Sequence, residues 1–586
     1  MIKSSTYPVG HKLPRKFFES GCHMLPVLSK ERIVASSGYN RWKVPPASIA
    51  IHLCIGSVYA WSIFNPALVK IRGVVASAAG DWTLSGVVWI FTVAIACLGL
   101  SAAVAGKWLE RVGPRMVGVA AAFCWGGGFL LGGCGILMHW LWLLYLGYGV
   151  LGGIGLGLGY VSPVSTLIRW FPDRRGMAAG LAIMGFGGGA IIAAPMNEAL
   201  IRYFYEAPDH LGETEQVPLG TEGGRRFAEV DGQQREVVVI GPQEVKDMIV
   251  PGPAGVYVVG TGRTGIAETF FVLSALYTLV MLIASFAYRV PPPGWRPAGW
   301  DPERAEKKKG KLVSSHDVGI DEALRTRQFY FVWIVLCFNV TAGIGVLGVA
   351  KTMMNEIFGS TLPTIVSGGF AATFVLMISV FNMLGRFFWA SASDYLGRKT
   401  TYTLFFVLGI ALYLMIPVTA VGVSHNPGVV WLILFYAVVM LIFTLYGGGF
   451  ATIPAYLADL FGTRFVGGIH GRLLTAWSVA GVLGPWCITW LRARSIRTAI
   501  SDLLPSIDPV RFQNVFGAPV SEIEPLVRSK TVTLSRLMEI APAGTMDPTS
   551  TVYNSTMFMM AGLLAVALLA NLLVRPVDAG HHWQET

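Results

Sequence analysis

Asn382-Met-Leu-Gly-Arg386-Phe-Phe-Trp-Ala-Ser-Ala-Ser-Asp394-Tyr-Leu-Gly397-Arg398-Lys399 closes a long apolar run that begins near Thr364. One arginine sits inside the run, and an Asp-x-x-Gly-Arg-Lys turn ends it. An arginine at the centre of a membrane helix costs at least about 2.5–3.5 kcal/mol on insertion scales, so it is a functional residue by default.

The surrounding chain supports a membrane setting. Its 586 residues are 53% hydrophobic and only 13% charged, with a mean hydropathy of +0.57, too apolar for an ordinary soluble protein. Crossing the hydrocarbon takes roughly 17–25 apolar residues. Twelve stretches qualify, at about 45–68, 82–105, 116–137, 140–168, 176–202, 268–288, 329–350, 364–391, 402–422, 428–458, 468–491 and 554–574. They fall six and six around a polar segment that opens Arg289-Val-Pro291-Pro-Pro-Gly and holds Lys307-Lys308-Lys309-Gly-Lys311. The predicted fold is therefore an all-α membrane protein of two six-helix halves. Its expected domains are an N-terminal tail 1–44, a bundle 45–288 with an external loop 203–267, a linker 289–327, a bundle 328–574 with an external loop 492–553, and a tail 575–586.

Short loops carry the positive charge that marks the cytoplasmic side: Lys107, Arg111 and Arg115, then Arg174 and Arg175, Arg398 and Lys399, and Arg464. Both tails and the linker are accordingly expected in the cytoplasm, in a multi-pass protein of the cell membrane (the inner membrane in a bacterium). The first 43 residues are basic but lack an early apolar core, so they read as a retained tail rather than a signal peptide; organelle targeting is the alternative. The net charge of +11 is assigned to these basic loops, with the lipid bilayer as partner and no nucleic acid. Seven scattered cysteines, Cys22, Cys54, Cys97, Cys124, Cys134, Cys337 and Cys487, form no C-x-x-C pair and are expected as free thiols. No cofactor, metal or nucleotide is implied, and a monomer is expected. Gly147-Tyr-Gly149-Val-Leu-Gly152 spells a dinucleotide fingerprint, but no strand precedes it and it lies in an apolar run. In the first external loop, Glu236-Val-Val-Val-Ile240 and Gly255-Val-Tyr-Val-Val259 are β-branched runs that suggest small hairpins capping the entrance, with a solvated loop as the alternative.

The two halves echo each other. Gly106-Lys-Trp-Leu-Glu110-Arg111-Val-Gly113-Pro-Arg115 after helix 2 matches Asp394-Tyr-Leu-Gly397-Arg398-Lys399 after helix 8, and Phe171-Pro-Asp-Arg-Arg-Gly before helix 5 matches Phe461-Gly-Thr-Arg before helix 11. Such a parallel repeat places a binding site between the halves. In each turn a glycine permits the tight bend. Glu110 and Asp394 are positioned to pair with basic residues across the helix ends, so Glu110, Arg111, Gly113, Arg115, Asp394, Gly397, Arg398, Asp459 and Arg472 are the expected gate. Simple stop-transfer charge would explain the basic residues but not their repetition. Glycines crowd helices 4 and 5, permitting close approach and sliding, or static packing.

The turn at 106–115, repeated at 394–399, resembles the helix 2–3 motif of the major facilitator superfamily. Within it, Ile55-Gly-Ser-Val-Tyr59-Ala-Trp61, Arg169-Trp-Phe-Pro-Asp-Arg-Arg-Gly176, Asn339-Val-Thr-Ala-Gly343 and the stretch around Arg386 resemble the oxalate:formate antiporter family and the monocarboxylate carriers. The resemblance implies alternating access and carriage of small organic anions, by exchange or with protons, and no enzyme activity. It also implies that Arg386 binds substrate carboxylate, with Tyr59, Trp61, Tyr446, Phe450, Trp477 and Asn382 around it. Arg386 lies eight residues, about 12 Å of helix rise, before Asp394, and a guanidinium matches a carboxylate in bidentate geometry. The competing possibility is a structural ion pair with Asp394 or Asp459.

Oxalate carriers of the family have a second cation, a lysine on helix 11; here Trp477 stands in its place, which argues against oxalate and favours a monocarboxylate, or a dianion moved with a compensating proton. Val58 stands where the family has a glutamine. Arg472, five residues earlier, lies about 140° around the helix from Trp477 and is expected to pair with Asp459, with substrate contact in place of the missing lysine as the alternative. His52 within helix 1 is a candidate proton carrier, or a hydrogen-bonded packing residue. The alternatives for the whole chain are dicarboxylate exchange of the oxalate/formate type, or a non-transporting receptor on the same fold.

Overall fold

The computed structural model describes residues 26–584 except 37, 223–224, 242–244, 246–247, 301–313, 315, 367, 517–518, 529–531, 533 and 543. The greater part of the N-terminal tail and the Lys307–Lys311 cluster of the linker lie outside the described residues, as does Cys22; the six other cysteines are free thiols.

Among the described residues, twelve helices are long and apolar enough to cross a membrane. In hydrocarbon every backbone N–H and C=O must be satisfied within the chain, and long apolar runs therefore become helices. The first half holds α1 (Pro45–Gly56, tightening through Ser57–Ile63), α2 (Leu84–Val112), α3 (Pro114–Leu137), α4 (Gly153–Trp170, entered through Leu141–Leu144 and Tyr145–Gly152), α5 (Arg175–Tyr203) and α6 (Ile266–Ala287). The second holds α7 (Arg327–Phe358), α8 (Gly368–Leu396), α9 (Arg398–His425), α10 (Val429–Phe461), α11 (Val466–Leu473 and Thr475–Leu503) and α12 (Asn554–Leu573). The Gly147–Gly152 fingerprint forms the π-helical entry to α4. Its glycines lie against α3, where a Cβ on Gly128 would meet Gly152 Cα at 2.8 Å.

At one end of the bundle, hereafter the basic face, α2 and α8 are each stopped by a glycine in a left-handed conformation, Gly113 at φ 86° and Gly397 at φ 82°. Gly462, at φ 82°, does the same for α10. The halves meet there through α2 against α11 and through α5 against α8 and α10. Small residues permit this approach: a Cβ on Gly106 would fall 2.5 Å from Gly468 Cα, and one on Gly180 would fall 3.0 Å from the Arg386 carbonyl. Overpacking of such a contact costs about 1–3 kcal/mol. Gly106→Val is therefore expected to weaken closure of this face roughly tenfold or more, read as increased labelling of a cysteine placed on the neighbouring α11 surface.

At the opposite end the loops are more ordered than expected. Segment 203–267 contributes a five-stranded antiparallel sheet of β1 (His210–Gly212), β2 (Gly220–Glu222), β3 (Arg225–Val230), β4 (Gln233–Ile240) and β5 (Gly255–Val258), in the order β1-β5-β4-β3-β2. The two β-branched runs pair with each other, Val237 opposite Val258 through Ile240 opposite Gly255. The tightest turn described is that of β3–β4, made by Asp231 and Gly232 at φ 51° and 75°, the Asp-Gly signature of a tight hairpin. Val238, Ile240, Met248 and Tyr257 bury against Val75 and Ala78, so the sheet seats on the first half's own α1–α2 connection. The second loop also departs from expectation: α11 continues to Leu503, and Pro509–Phe516, Ile523–Arg528 and Leu534–Ile540 are short helices. No proline interrupts α11 between Pro485 and Pro505, so the helix runs past the membrane.

Candidate functional site

Arg386 is wholly buried between the halves, as are Trp477 and Tyr160. Its Nε donates to Asn382 Oδ1 at 3.0 Å, one turn earlier on α8. Nη1 donates across the halves to the Ile183 carbonyl of α5 at 3.4 Å. The guanidinium carbon stands 5.1 Å from the Phe450 ring centroid and 5.8 Å from that of Phe186, contacts worth about 2 kcal/mol when desolvated. Glycines make the slot: a Cβ on Gly187 would lie 2.8 Å from Arg386 Nε, and one on Gly447 would lie 3.1 Å from its Cγ.

Arg386 Nη2 has no hydrogen-bond partner, and Arg386 forms no ion pair among the described residues. The two carboxylates considered for it are engaged elsewhere. Asp394 accepts from Arg398 at 2.6 Å, and Asp459 accepts from Arg175 at 3.0 Å and Arg398 at 2.9 Å. A buried charge without a counterion is costly, and here the remaining polar groups are also unpaired. Among the described residues the Tyr59, Tyr160 and Tyr446 hydroxyls and Trp477 Nε1 are buried with no partner at full hydrogen-bond geometry, while Tyr59 and Tyr160 stand near enough to Arg386, and Tyr59 to Tyr446, for longer polar contact.

Rings tie these groups together: Phe450 to Trp477 at 4.6 Å, Trp477 to Phe186 and to Tyr160 at 5.3 Å, Tyr59 to Phe186 at 5.2 Å, and Tyr446 to Phe450 at 5.3 Å. Both halves contribute. Tyr59, Phe450, Tyr446 and Trp477 are thus brought to the arginine, while Asn382 acts on it as a positioning residue. Trp61 is not brought there; it stacks on Tyr148 at 4.4 Å in a separate first-half cluster with Phe64. Sequence reasoning did not single out Phe186 or Tyr160. A lone aromatic between glycines, Gly185-Phe186-Gly187, was the available signal.

His52 is buried on α1, with Nδ1 2.5 Å from the Ala182 carbonyl and Nε2 3.2 Å from the Tyr160 carbonyl. Farther toward the basic face lies a network that joins the halves. The Asp394 carboxylate accepts from the backbone N–H groups of Gly176 at 2.9 Å and Met177 at 3.0 Å. It therefore caps the first turn of α5 from the other half, where the helix dipole favours an anion. Arg175 reaches back to Asp459 and to the Ala458 carbonyl at 3.1 Å. Glu110 pairs with Arg169, whose other contact is the Arg464 carbonyl at 3.4 Å. The start of α11 passes beside that pair, since a Cβ on Gly467 would lie 2.9 Å from Glu110 Oε1.

Other gate candidates are placed differently. Arg115 donates to the carbonyls of Val27, Phe286 and Tyr288 within its own half. Arg111 is exposed and makes no ion pair among the described residues. Arg472 pairs with Asp321 at 2.7 Å, not with Asp459: it leaves α11 toward the linker, where Asp321 also accepts from Lys107 of α2 at 2.7 Å. Those hydrogen bonds, Lys107 first and Arg472 second, hold the exposed Asp321 carboxyl below its usual value. Asp317 accepts from the Arg464 N–H at 3.0 Å, and its carbonyl accepts from Trp583 N–H at 2.7 Å, so linker and C-terminal segment both lie on this face.

The arrangement agrees with what the chain is similar to. The family model described as "Major Facilitator Superfamily" matches residues 53–207 and 249–485. The apicoplast pyruvate carrier 1 of Toxoplasma gondii is 23% identical over 537 residues, covering 82% of this chain and 89% of that one. The oxalate:formate antiporter of Oxalobacter formigenes is 23% identical over 455 residues, covering 76% and 83%. The crystal structure of the transporter FucP in the outward conformation superposes with a TM-score of 0.51 at 11% identity, over 90% of this chain and 98% of that one. With twelve spanning helices in two halves and a family match over most of its length, the chain belongs to the Major Facilitator Superfamily of membrane transporters.

Proposed function

We propose that the protein is a secondary transporter of a small carboxylate, most simply a monocarboxylate, working by alternating access rather than as an enzyme. One observation carries this reading: a wholly buried arginine that, among the described residues, has an unpartnered Nη2 and no counterion, ringed by tyrosine and indole groups without full hydrogen-bond partners. Unsatisfied N–H and O–H groups gathered on a guanidinium suit an anion with several lone pairs, and the planar fork of a guanidinium selects a carboxylate. The printed names of two relatives, a pyruvate carrier and an oxalate:formate antiporter, are of the same chemical class.

Trp477 rather than a cation lies among the rings around Arg386, and Arg472 is held by Asp321. With a single cation for the substrate, a dianion would leave one carboxylate uncompensated. In this reading the network of Glu110, Arg169, Asp394, Arg175, Arg398 and Asp459 is the cytoplasmic gate, here closed, with both termini cytoplasmic in a monomer. The bundles then correspond to 45–288 and 328–574. Proteoliposomes of the purified protein test this with a competition panel: formate, acetate, lactate and pyruvate are expected to compete at least tenfold better than oxalate or malonate. Saturable binding without flux for every acid would instead indicate a receptor.

A further inference from the structure

His52 is held in a way that fits one protonation state better than the others. Both ring nitrogens face backbone carbonyl oxygens, Nδ1 at 2.5 Å from Ala182 on α5 and Nε2 at 3.2 Å from Tyr160 on α4. A carbonyl oxygen only accepts, and a neutral imidazole carries one N–H. In either neutral tautomer, one carbonyl therefore meets a ring lone pair. The imidazolium donates to both. A merely structural histidine needs one donor and one acceptor around it; this one is given two acceptors.

What opposes the charged form is equally plain. Burial away from water is the largest cost, the Arg386 charge of α8 adds to it, and His470 of α11 lies close enough to feel His52 through space. From α4 the Tyr160 ring lies 5.1 Å away, and from α5 the uncharged Phe186 ring meets it edge-on at 6.3 Å. On α1 itself Tyr59 packs on Phe186 instead, and α6 places Tyr277 and Tyr288 beside Ser57 and Ser48. Among the described residues no carboxylate acts on His52. The negative charge that would neutralise Arg386, and so allow a second cation in the same dry interior, has to arrive from outside. An anion on Arg386 supplies it.

We propose that His52 is the proton-binding site of this carrier and that it fills together with the anion on Arg386. One carboxylate binds the guanidinium, the lone-pair nitrogen of the imidazole takes one proton from the water of the open face, and both leave together on the other side. One anion and one proton cross, no net charge moves, and no other reactant is needed. The proposal rests on the carboxylate reading above and deepens it from unspecified coupling to symport at a named residue.

The experiment uses the full chain in proteoliposomes with a pH dye inside and protein-free vesicles as blank. An inward gradient of lactate or pyruvate is expected to acidify the lumen. An alkaline lumen is expected to accumulate the acid about tenfold per pH unit, as one-to-one linkage requires. His52→Gln is expected to abolish that accumulation while anion-for-anion exchange continues at a reduced rate. His52→Asn provides a second neutral variant. Nitrogen NMR of histidine-labelled wild-type protein reads the same site without a variant, and a buried imidazolium is expected to appear only with saturating lactate or pyruvate. Exchange without proton movement, full accumulation by His52→Gln, or a ring that stays neutral with substrate bound would each overturn the proton assignment and leave the carboxylate reading standing. No flux of any carboxylate by the wild type would remove both.

Discussion

Arg386→Lys is expected to lower carboxylate uptake at least about a hundredfold while membrane abundance stays near normal. The lysine keeps the charge but not the fork. Arg386 uses Nε on Asn382 and Nη1 on the Ile183 carbonyl, which leaves the Nη2 edge for substrate. An ammonium that reached the same place would surrender at least one charge-assisted hydrogen bond to a carboxylate, about 1.5–3 kcal/mol, and the bidentate geometry with it. At tenfold per 1.4 kcal/mol, that is one to two decades before any loss of orientation is counted. Folding has little to lose, because the arginine is a buried charge without a counterion. Uptake per molecule of purified variant is the measurement, and an Arg386→Ala protein transporting at the wild-type rate would sink the central assignment.

Asp459→Asn is expected to open the basic face. Asp459 receives both Arg175 from the first half and Arg398 from the second, with side chains only 14%, 4% and 8% exposed for Arg175, Arg398 and Asp459 respectively. Removing one partner of a buried ion pair typically costs about 3–5 kcal/mol. The Arg398–Asp394 pair and the Arg175 bond to the Ala458 carbonyl survive, but the charge pair between α5 and α10 does not. A loss of that size shifts the balance between closed and open basic face by two to three decades. Accessibility of a single cysteine placed near Ala458 to a membrane-impermeant reagent should rise accordingly. Unchanged labelling, in a variant shown to fold, would mean that the network is not what holds this face shut.

Much of the fold was legible because the bilayer leaves the chain few choices. An apolar run of sufficient length must be a helix, so twelve runs became twelve helices, most with ends near expectation, although α2 and α7 run on past their predicted ends to Val112 and Phe358. Gly113 and Gly397 stop α2 and α8 as their sequence context suggests, because only a glycine takes that backbone conformation without strain. The loops were less legible because no such constraint acts on them. The sheet in 203–267 pairs consecutive strands from β2 to β5 and brings β1 back beside β5, and its Asp231-Gly232 turn was the one strong local signal. α11 overran its predicted end because the membrane ends a hydrophobic run but not a helix.

The candidate site divides in the same manner. A lone arginine in an apolar segment announces itself by its desolvation cost, and Arg386 needed nothing more to be noticed. Which groups surround it is a matter of helix rotation and of contacts between the halves. Tyr59 and Trp61 stand two residues apart, yet one meets Phe186 beside the arginine and the other stacks on Tyr148. Arg472 illustrates the same limit from the other side, since its partner Asp321 comes from the linker and no spacing in α11 encodes it.

Taken alone, the amino-acid sequence determined the class of protein, the number and order of its helices, the repeat of its halves and the arginine at its centre, because these follow from local apolarity, chain length and the cost of burying charge. Tertiary structure alone decided that the arginine has no counterion among the described residues, that Asp394 and Asp459 tie the two halves together at the basic face, that Phe186 and Tyr160 lie around the arginine, and that His52 faces two carbonyls. Those facts depend on which helix faces meet, and helix contact in a uniformly apolar segment is set by glycine-sized gaps and shape fit between distant residues, which local hydrophobicity does not record.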